Sequence, residues 1–170
     1  MLVFIVDRDV DHRMMVGVSL AFLGYDVMQF EQAEEAIHAA RSLTPSLVLT
    51  EVFMPDHDGI EVLETIGKLH HRCQMIAMLR SQEALAAPLL TALGHLGAAA
   101  TVVKPVDHAD LSAAIQRVRQ VAPTIEDQAQ LSPAMFRATN LLRGTKAVLR
   151  QLFKDDPAQS TTGTAGRRPL

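Results

Sequence analysis

Five short apolar runs, each followed by a segment with helical spacing, fix what this chain can fold into. The runs are Leu2–Val6, Tyr25–Phe30, Ser46–Thr50, Cys73–Leu79 and Ala99–Val103. They have strand length and are nearly continuous in apolar character, as suits strands buried on both faces. Helical patterns separate them. Asp9 can cap the first, whose apolar positions Met14, Met15, Val18, Leu20, Ala21 and Phe22 end at Gly24. Ala33–Ser42 forms the second and Gly59–Leu69 the third, with Ile60, Leu63 and Ile66 at helical spacing. Gln82–His95 forms the fourth. Asp107 caps the fifth, with Leu111, Ala114, Ile115 and Val118 inward. Strands alternating with helices predict an α/β fold built on a five-stranded, doubly wound parallel sheet. Sites in such sheets form at the carboxyl ends of the strands. Those ends bring together Asp7, Arg8, Glu51, Arg80, Ser81 and Lys104.

Beyond Gln120 the character changes. Residues 1–120 carry 9 Lys and Arg against 15 Asp and Glu, a net −6; residues 121–170 carry 7 against 4, a net +3. A basic piece is thus attached to an acidic domain. Residues 1–121 form the domain and 122–131 read as a linker. Ser132-Pro133 starts a helix over residues 132–154, in which Met135, Leu142 and Leu149 recur every seven positions. That helix carries Arg137, Arg143, Lys146, Arg150 and Lys154, and it docks its apolar stripe or pairs as a short coiled coil. Residues 155–170 have a disordered composition.

The short sequence from Leu47 to Gly59 carries the strongest local signal. Leu47-Val48-Leu49-Thr50-Glu51 is followed by Met54-Pro55 and Asp58-Gly59. Val6-Asp7 with Asp9 stands after the first strand, Gly97-Ala98 before the fifth, and Lys104-Pro105 after it. In order and spacing these residues resemble the receiver domain of bacterial response regulators, of the chemotaxis-regulator type, over residues 1–121. The resemblance implies a flavodoxin-like receiver fold with an added C-terminal helix. It also implies an acidic pair that helps hold magnesium, and an aspartate that takes a phosphoryl group from a partner histidine. A lysine that pairs with that group, a Thr or Ser switch hydroxyl and an aromatic reporter complete the implied set.

Asp7 and Lys104 match that set, and four other positions depart from it. The second acidic position holds Arg8, the acceptor position Glu51, the hydroxyl position Arg80 with Ser81 one residue late, and the aromatic position Thr101. A guanidinium does not deprotonate and repels a divalent cation. Magnesium binding is therefore expected to be lost or weak, and no other cofactor is implied. Glu51 reaches farther than aspartate by about 1.5 Å, one carbon–carbon bond. It can meet Lys104, Arg8 or Arg80 as a pre-formed ion pair. Phosphoryl transfer depends on positioning, so a displaced nucleophile without its metal loses most of its rate.

The expected function is signalling in a two-component or phosphorelay pathway by protein–protein contact, independent of phosphorylation and without enzymatic activity. The expected partner is a kinase, a phosphotransferase or a downstream regulator. The fourth helix, with Leu85 and Leu89, and the C-terminal helix are candidate interfaces, the latter through Met135, Leu142 and Leu149; either is a route to a homodimer. Two rivals stand beside this reading. One is a true phosphoacceptor using Glu51, Asp56 or Asp58. The other is a small transcription regulator that binds nucleic acid through its basic helix, disfavoured by the mild net charge of −3. His57, beside Glu51 in sequence, is a pH-sensitive neighbour or simply an exposed loop residue. The lone Cys73 excludes an internal disulfide and fits a reducing cytoplasm. Beside His70-His71 it forms a weak metal-ligand pattern, with the thiol expected inside and the histidines outside. The first apolar run lacks a basic leader and stops at Asp7, and no apolar run is long enough to span a membrane.

Overall fold

The computed structural model describes residues 1–54, 59–80 and 87–120. The chain divides into two units, Met1–Ile125 and Glu126–Leu170. All described residues fall in the first unit. The expected linker, the C-terminal helix with Met135, Leu142 and Leu149, and the tail lie outside them, as do Asp56, His57, Asp58, Ser81 and Leu85.

The alternation expected from the sequence is present. In chain order the elements are β1 (Leu2–Val6), α1 (Val10–Phe22), β2 (Asp26–Phe30), α2 (Ala33–Ala40), β3 (Leu47–Glu51) and α3 (Gly59–Leu69). Then follow β4 (Gln74–Leu79), α4 (Ala87–His95), β5 (Ala100–Val103) and α5 (His108–Gln120). Several boundaries move by a residue or two from the expected ones. The most consequential shift extends β3 to include Glu51, which pairs in register with Met78 of β4.

The five strands are parallel and run in the order β2-β1-β3-β4-β5. Strand order reverses direction beside β1 and β3, so the loops after those strands diverge and open a crevice at their carboxyl ends. Alternation along the strands sends Val3, Ile5, Leu47, Leu49, Ile76 and Met78 into one core cluster. Val16 and Leu20 of α1, and Leu111, Ala114, Ile115 and Val118 of α5, complete it. Phe4 meets Phe30 edge to face, with centroids 4.8 Å apart.

The helix ends are held by local chemistry. The Asp9 carboxylate accepts the Asp11 and His12 amide hydrogens, each at 3.1 Å, and Asp107 accepts from Asp110 at 2.8 Å. Gly24, with φ of 83°, closes α1: its amide bonds Ala21, and Tyr25 bonds back to Leu20. Gly97, with φ of 101°, closes α4 in the same way through Gly94 and Leu93.

Two expectations about exposed faces need correction. Leu89 of α4 was expected at an interface, but it is buried, as are Ala92 and Leu93, and the described solvent side of α4 shows Pro88, Thr91, Gly94 and His95. Residue spacing explains this: Leu89, Ala92 and Leu93 share one side of the helix and fall against the sheet. In α1, of the six apolar positions that mark the helix in the sequence, only Leu20 is buried; the inward residues are His12, Val16, Gly17 and Leu20. An apolar stripe therefore faces water while a histidine faces the core.

Cys73 stands one residue before β4, with its thiol pushed up to about 12 by burial. His70 uses its Nε2 to donate to the Ala40 carbonyl at 2.7 Å. Among the described residues, no three His, Cys, Asp or Glu side chains gather into a metal-binding group. No helix among them is long and apolar enough to cross a membrane.

Candidate functional site

The strand ends deliver two carboxylates and two cations to one crevice. Asp7 follows β1, Glu51 ends β3, Arg80 follows β4 and Lys104 follows β5. Asp7 and Glu51 are both fully buried. Charges so placed must be paired, because desolvation of a lone carboxylate costs several kcal/mol.

Lys104 lies between them. Its Nζ stands 2.8 Å from Asp7 Oδ1 and 3.4 Å from Glu51 Oε2. Arg80 donates through Nε to Glu51 Oε1. Arg80 and Lys104 thus both hold the Glu51 carboxylate. Register explains the first: Glu51 sits opposite Met78, so the chain leaving β4 passes the Glu51 carboxylate two residues later. The hydrogen bond from Arg80 to Glu51 raises the guanidinium's already high pKa against the opposing effect of burial. Arg8 is exposed, and Thr101 is half-buried on β5 in register with Ala77.

Sequence reasoning missed His12. It lies on the inner side of α1, where its Nδ1 is 2.6 Å from Asp7 Oδ2. Its Nε2 accepts the Val106 amide hydrogen at 3.0 Å. An amide has only a proton to offer, so the ring proton resides on Nδ1 and points at Asp7. One imidazole therefore ties the loop after β1 to the loop after β5, beside the cis Lys104–Pro105 peptide. The signal was present in the i, i+4, i+8 stripe of His12, Val16 and Leu20, but the more apolar stripe beside it obscured it.

Asp7 is saturated by these contacts. Oδ2 takes His12, and Oδ1 takes Lys104 and the Asp9 amide at 2.9 Å. Arg13 of α1 donates to the Asp7 backbone carbonyl. Burial pushes the Asp7 carboxyl upward, but the His12 and Lys104 hydrogen bonds, the Lys104 charge and the Asp9 amide outweigh it and hold it at about 2.

Gly59 sets the other wall. A Cβ at this position would lie 1.8 Å from the Glu51 carbonyl oxygen, so only glycine lets the start of α3 pass so near the end of β3. The Gly59 amide donates to Val52 O at 3.1 Å across that contact.

With this geometry in view, the comparisons with known proteins are decisive for the family. The response regulator receiver domain model matches residues 3–116. This chain belongs to the response regulator receiver family. Its curated relatives include the "probable transcriptional regulator ycf27" of Cyanophora paradoxa, 30% identical over 95% of this chain and 65% of the relative. They also include the regulatory protein AtoC of Escherichia coli, 29% identical over 70% of this chain and 25% of the relative. This chain therefore spans about two thirds of the first relative and a quarter of the second. Among solved structures, the chemotaxis response regulator CheY4 of Vibrio cholerae superposes with a TM-score of 0.61 at 24% identity, covering 69% of this chain and 97% of that one. NtrX of Brucella abortus gives 0.65 at 22% identity, covering 85% and 33%. At those identities the likeness concerns the fold, which is the α/β receiver fold expected from the sequence.

Proposed function

We propose that this receiver domain transmits by binding, and that its acceptor crevice is filled by a built-in ion-pair network in place of a phosphoryl group. The observation that carries the reading is the position of Glu51. Its buried carboxylate already holds Arg80 and Lys104, the latter being the lysine the family pairs with the phosphoryl group. A phosphodonor would have to displace both cations and then meet a carboxylate whose oxygens point at them. In-line transfer depends on alignment, so this arrangement opposes it.

The donor set likewise does not fit magnesium. Arg8 occupies one implied ligand position, Asp9 caps α1, and both Asp7 oxygens accept hydrogen bonds. A hard divalent cation needs free anionic oxygens. The two buried carboxylates are instead offset by Lys104 and Arg80. On this reading the protein is a non-enzymatic component of a two-component or phosphorelay pathway, and its partners are proteins.

The test is incubation with acetyl phosphate and magnesium, followed by intact mass. The expected result is an unmodified chain under conditions that phosphorylate a typical receiver. A phosphate adduct that disappears in Glu51→Ala would overturn the proposal and establish Glu51 as an acceptor. An adduct that persists in Glu51→Ala would move the acceptor to Asp56 or Asp58 and overturn it equally.

One observation favours a second reading. The match to the ycf27 relatives, described as probable transcriptional regulators, extends over 95% of this chain and so beyond residue 116. A nucleic-acid role for the basic segment after residue 121 follows if that likeness extends to function. A salt-dependent mobility shift of DNA by the full chain, lost on truncation at residue 130, would establish it.

A further inference from the structure

His12 stands outside the set of residues that the receiver resemblance implies, yet it closes one edge of the Asp7 carboxylate. The other inward residues of α1 are Val16, Gly17 and Leu20, so an imidazole there is out of keeping with its neighbours. It is 6% exposed, and a buried polar ring is costly unless its nitrogens are bonded. Both are: Nδ1 stands 2.6 Å from Asp7 Oδ2, and Nε2 accepts the Val106 amide hydrogen at 3.0 Å. The second bond fixes the first. To offer a cation a lone pair at Nδ1, the ring would have to carry its proton on Nε2, where the Val106 amide already points a hydrogen. Nδ1 therefore stays a donor.

We infer that His12 is the positioning residue that turns the implied divalent-cation site into a cation-free one, by keeping Asp7 Oδ2 bonded to its ring N–H. Lys104 and the Asp9 amide take Oδ1, at 2.8 and 2.9 Å, so Oδ2 is the oxygen that a cation would need. His12 presents the positive end of an N–H bond there, and coordination would set that hydrogen against the metal ion. Charge gives the same answer. The two buried carboxylates are already balanced by Lys104 and Arg80, and a divalent ion would leave the crevice with excess positive charge. Groups behind a metal ligand ordinarily raise affinity about 10–100-fold by orienting that ligand toward the ion. His12 occupies such a position with the opposite effect.

Arg8 opposes a cation from an exposed position, whereas His12 acts from the interior. The two are separable, and a carboxylate in place of Arg8 does not by itself reopen the site. The inference rests on the self-paired crevice of the proposed function and adds the residue that keeps it metal-free.

The test is a titration of the full chain with magnesium chloride, followed by calorimetry and by the ring-nitrogen NMR signals of His12. Wild type and Arg8→Asp are expected to show no saturable binding at millimolar magnesium, with the His12 signals unmoved. His12→Ala alone, which keeps Arg8, is expected to be equally silent. Arg8→Asp combined with His12→Ala frees Oδ2 beside a second carboxylate, and is expected to bind at least about tenfold more tightly than Arg8→Asp. Cooperative urea unfolding identifies a folded double variant. An Arg8→Asp variant that binds as tightly as the double variant would overturn the inference, as would a folded double variant that does not bind. Where the double variant does not fold, Arg8→Asp decides alone: unmoved ring signals sustain the inference, and a saturable shift overturns it because Asp7 has then released its donor. No phosphodonor is present, so a phosphate adduct on Glu51 would overturn the proposed function and leave this result standing.

Discussion

The two halves of the crevice are built to different standards. Around Asp7 every carboxylate oxygen is occupied, and the donors come from the loop after β1, from α1 and from the loop after β5. His12, in the middle of this half, is itself buried and satisfied at both ring nitrogens. Around Glu51 the carboxylate is equally buried, but its strongest partner, Arg80, has a side chain 49% exposed, and Lys104 is 3.4 Å away. The first half is a fastening that holds two loops in fixed relation. The second is a contact with one partner at the surface, within reach of any protein that docks over the strand ends. In this receiver the immobile half and the addressable half share a single lysine.

That sharing gives the largest expected effect. Lys104→Met removes the cation common to both halves and leaves two buried carboxylates with less compensation. Breaking a buried pair in this way costs about 3–5 kcal/mol. Urea unfolding measured at neutral pH is expected to show a loss in that range. A loss under 1 kcal/mol would mean that the halves are independent and that the lysine merely sits between them.

The next effect separates the halves. His12→Phe keeps the bulk of the ring but removes the donor to Asp7 and strands the Val106 amide. Loss of a hydrogen bond to a charged group together with an unpaired buried amide costs about 2–3 kcal/mol. The change also carries a pH signature. Asp7 has a folded pKa of about 2, below its ordinary value of 3.8, so its ionised form is favoured by folding. Its contribution is therefore complete above the ordinary value and is lost as pH falls from about 4 toward 2. Removing one of the donors that lowers it should shift this acid loss to higher pH. Stability measured against pH for wild type and His12→Phe checks both points; superimposable acid limbs would show that His12 does not help to hold Asp7 ionised.

The legibility of the sequence follows the same division. Strand and helix alternation was readable because the three inner strands, β1, β3 and β4, are buried almost throughout and carry few polar residues to confuse the pattern. The convergence of Asp7, Glu51, Arg80 and Lys104 was readable because each stands at the carboxyl end of a strand. The choice among cations for Glu51 was not, since it depends on the register that sets Glu51 opposite Met78 and on which neighbouring chain then turns toward the carboxylate. His12 was hidden for a different reason. A polar residue in the first turn of a helix is normally solvated, and α1 carries two competing apolar stripes. The stronger stripe by hydrophobicity, through Met14, Val18 and Phe22, faces water. The weaker one, which includes a histidine and a glycine, faces the sheet. Periodicity located the helix but did not orient it, because the face that packs is chosen by what Asp7 and the loop after β5 require.

The smallest expected effect probes the addressable half alone. Arg80→Ala removes the principal partner of Glu51, yet the guanidinium is half in water, where screening and side-chain entropy reduce what an ion pair contributes. Lys104 remains beside Glu51 to share its charge. The expected cost is about 1 kcal/mol, well below that of Lys104→Met or His12→Phe. The acid limb assigned to Asp7 should stay in place, because all the donors to Asp7 are untouched. A loss as large as that of Lys104→Met would make Arg80 part of the fastening and erase the contrast between the two halves. A small loss with an unmoved acid limb would leave Arg80 as the residue that a docking partner can displace without loosening the fold, and so as the place where binding and the interior of this receiver meet.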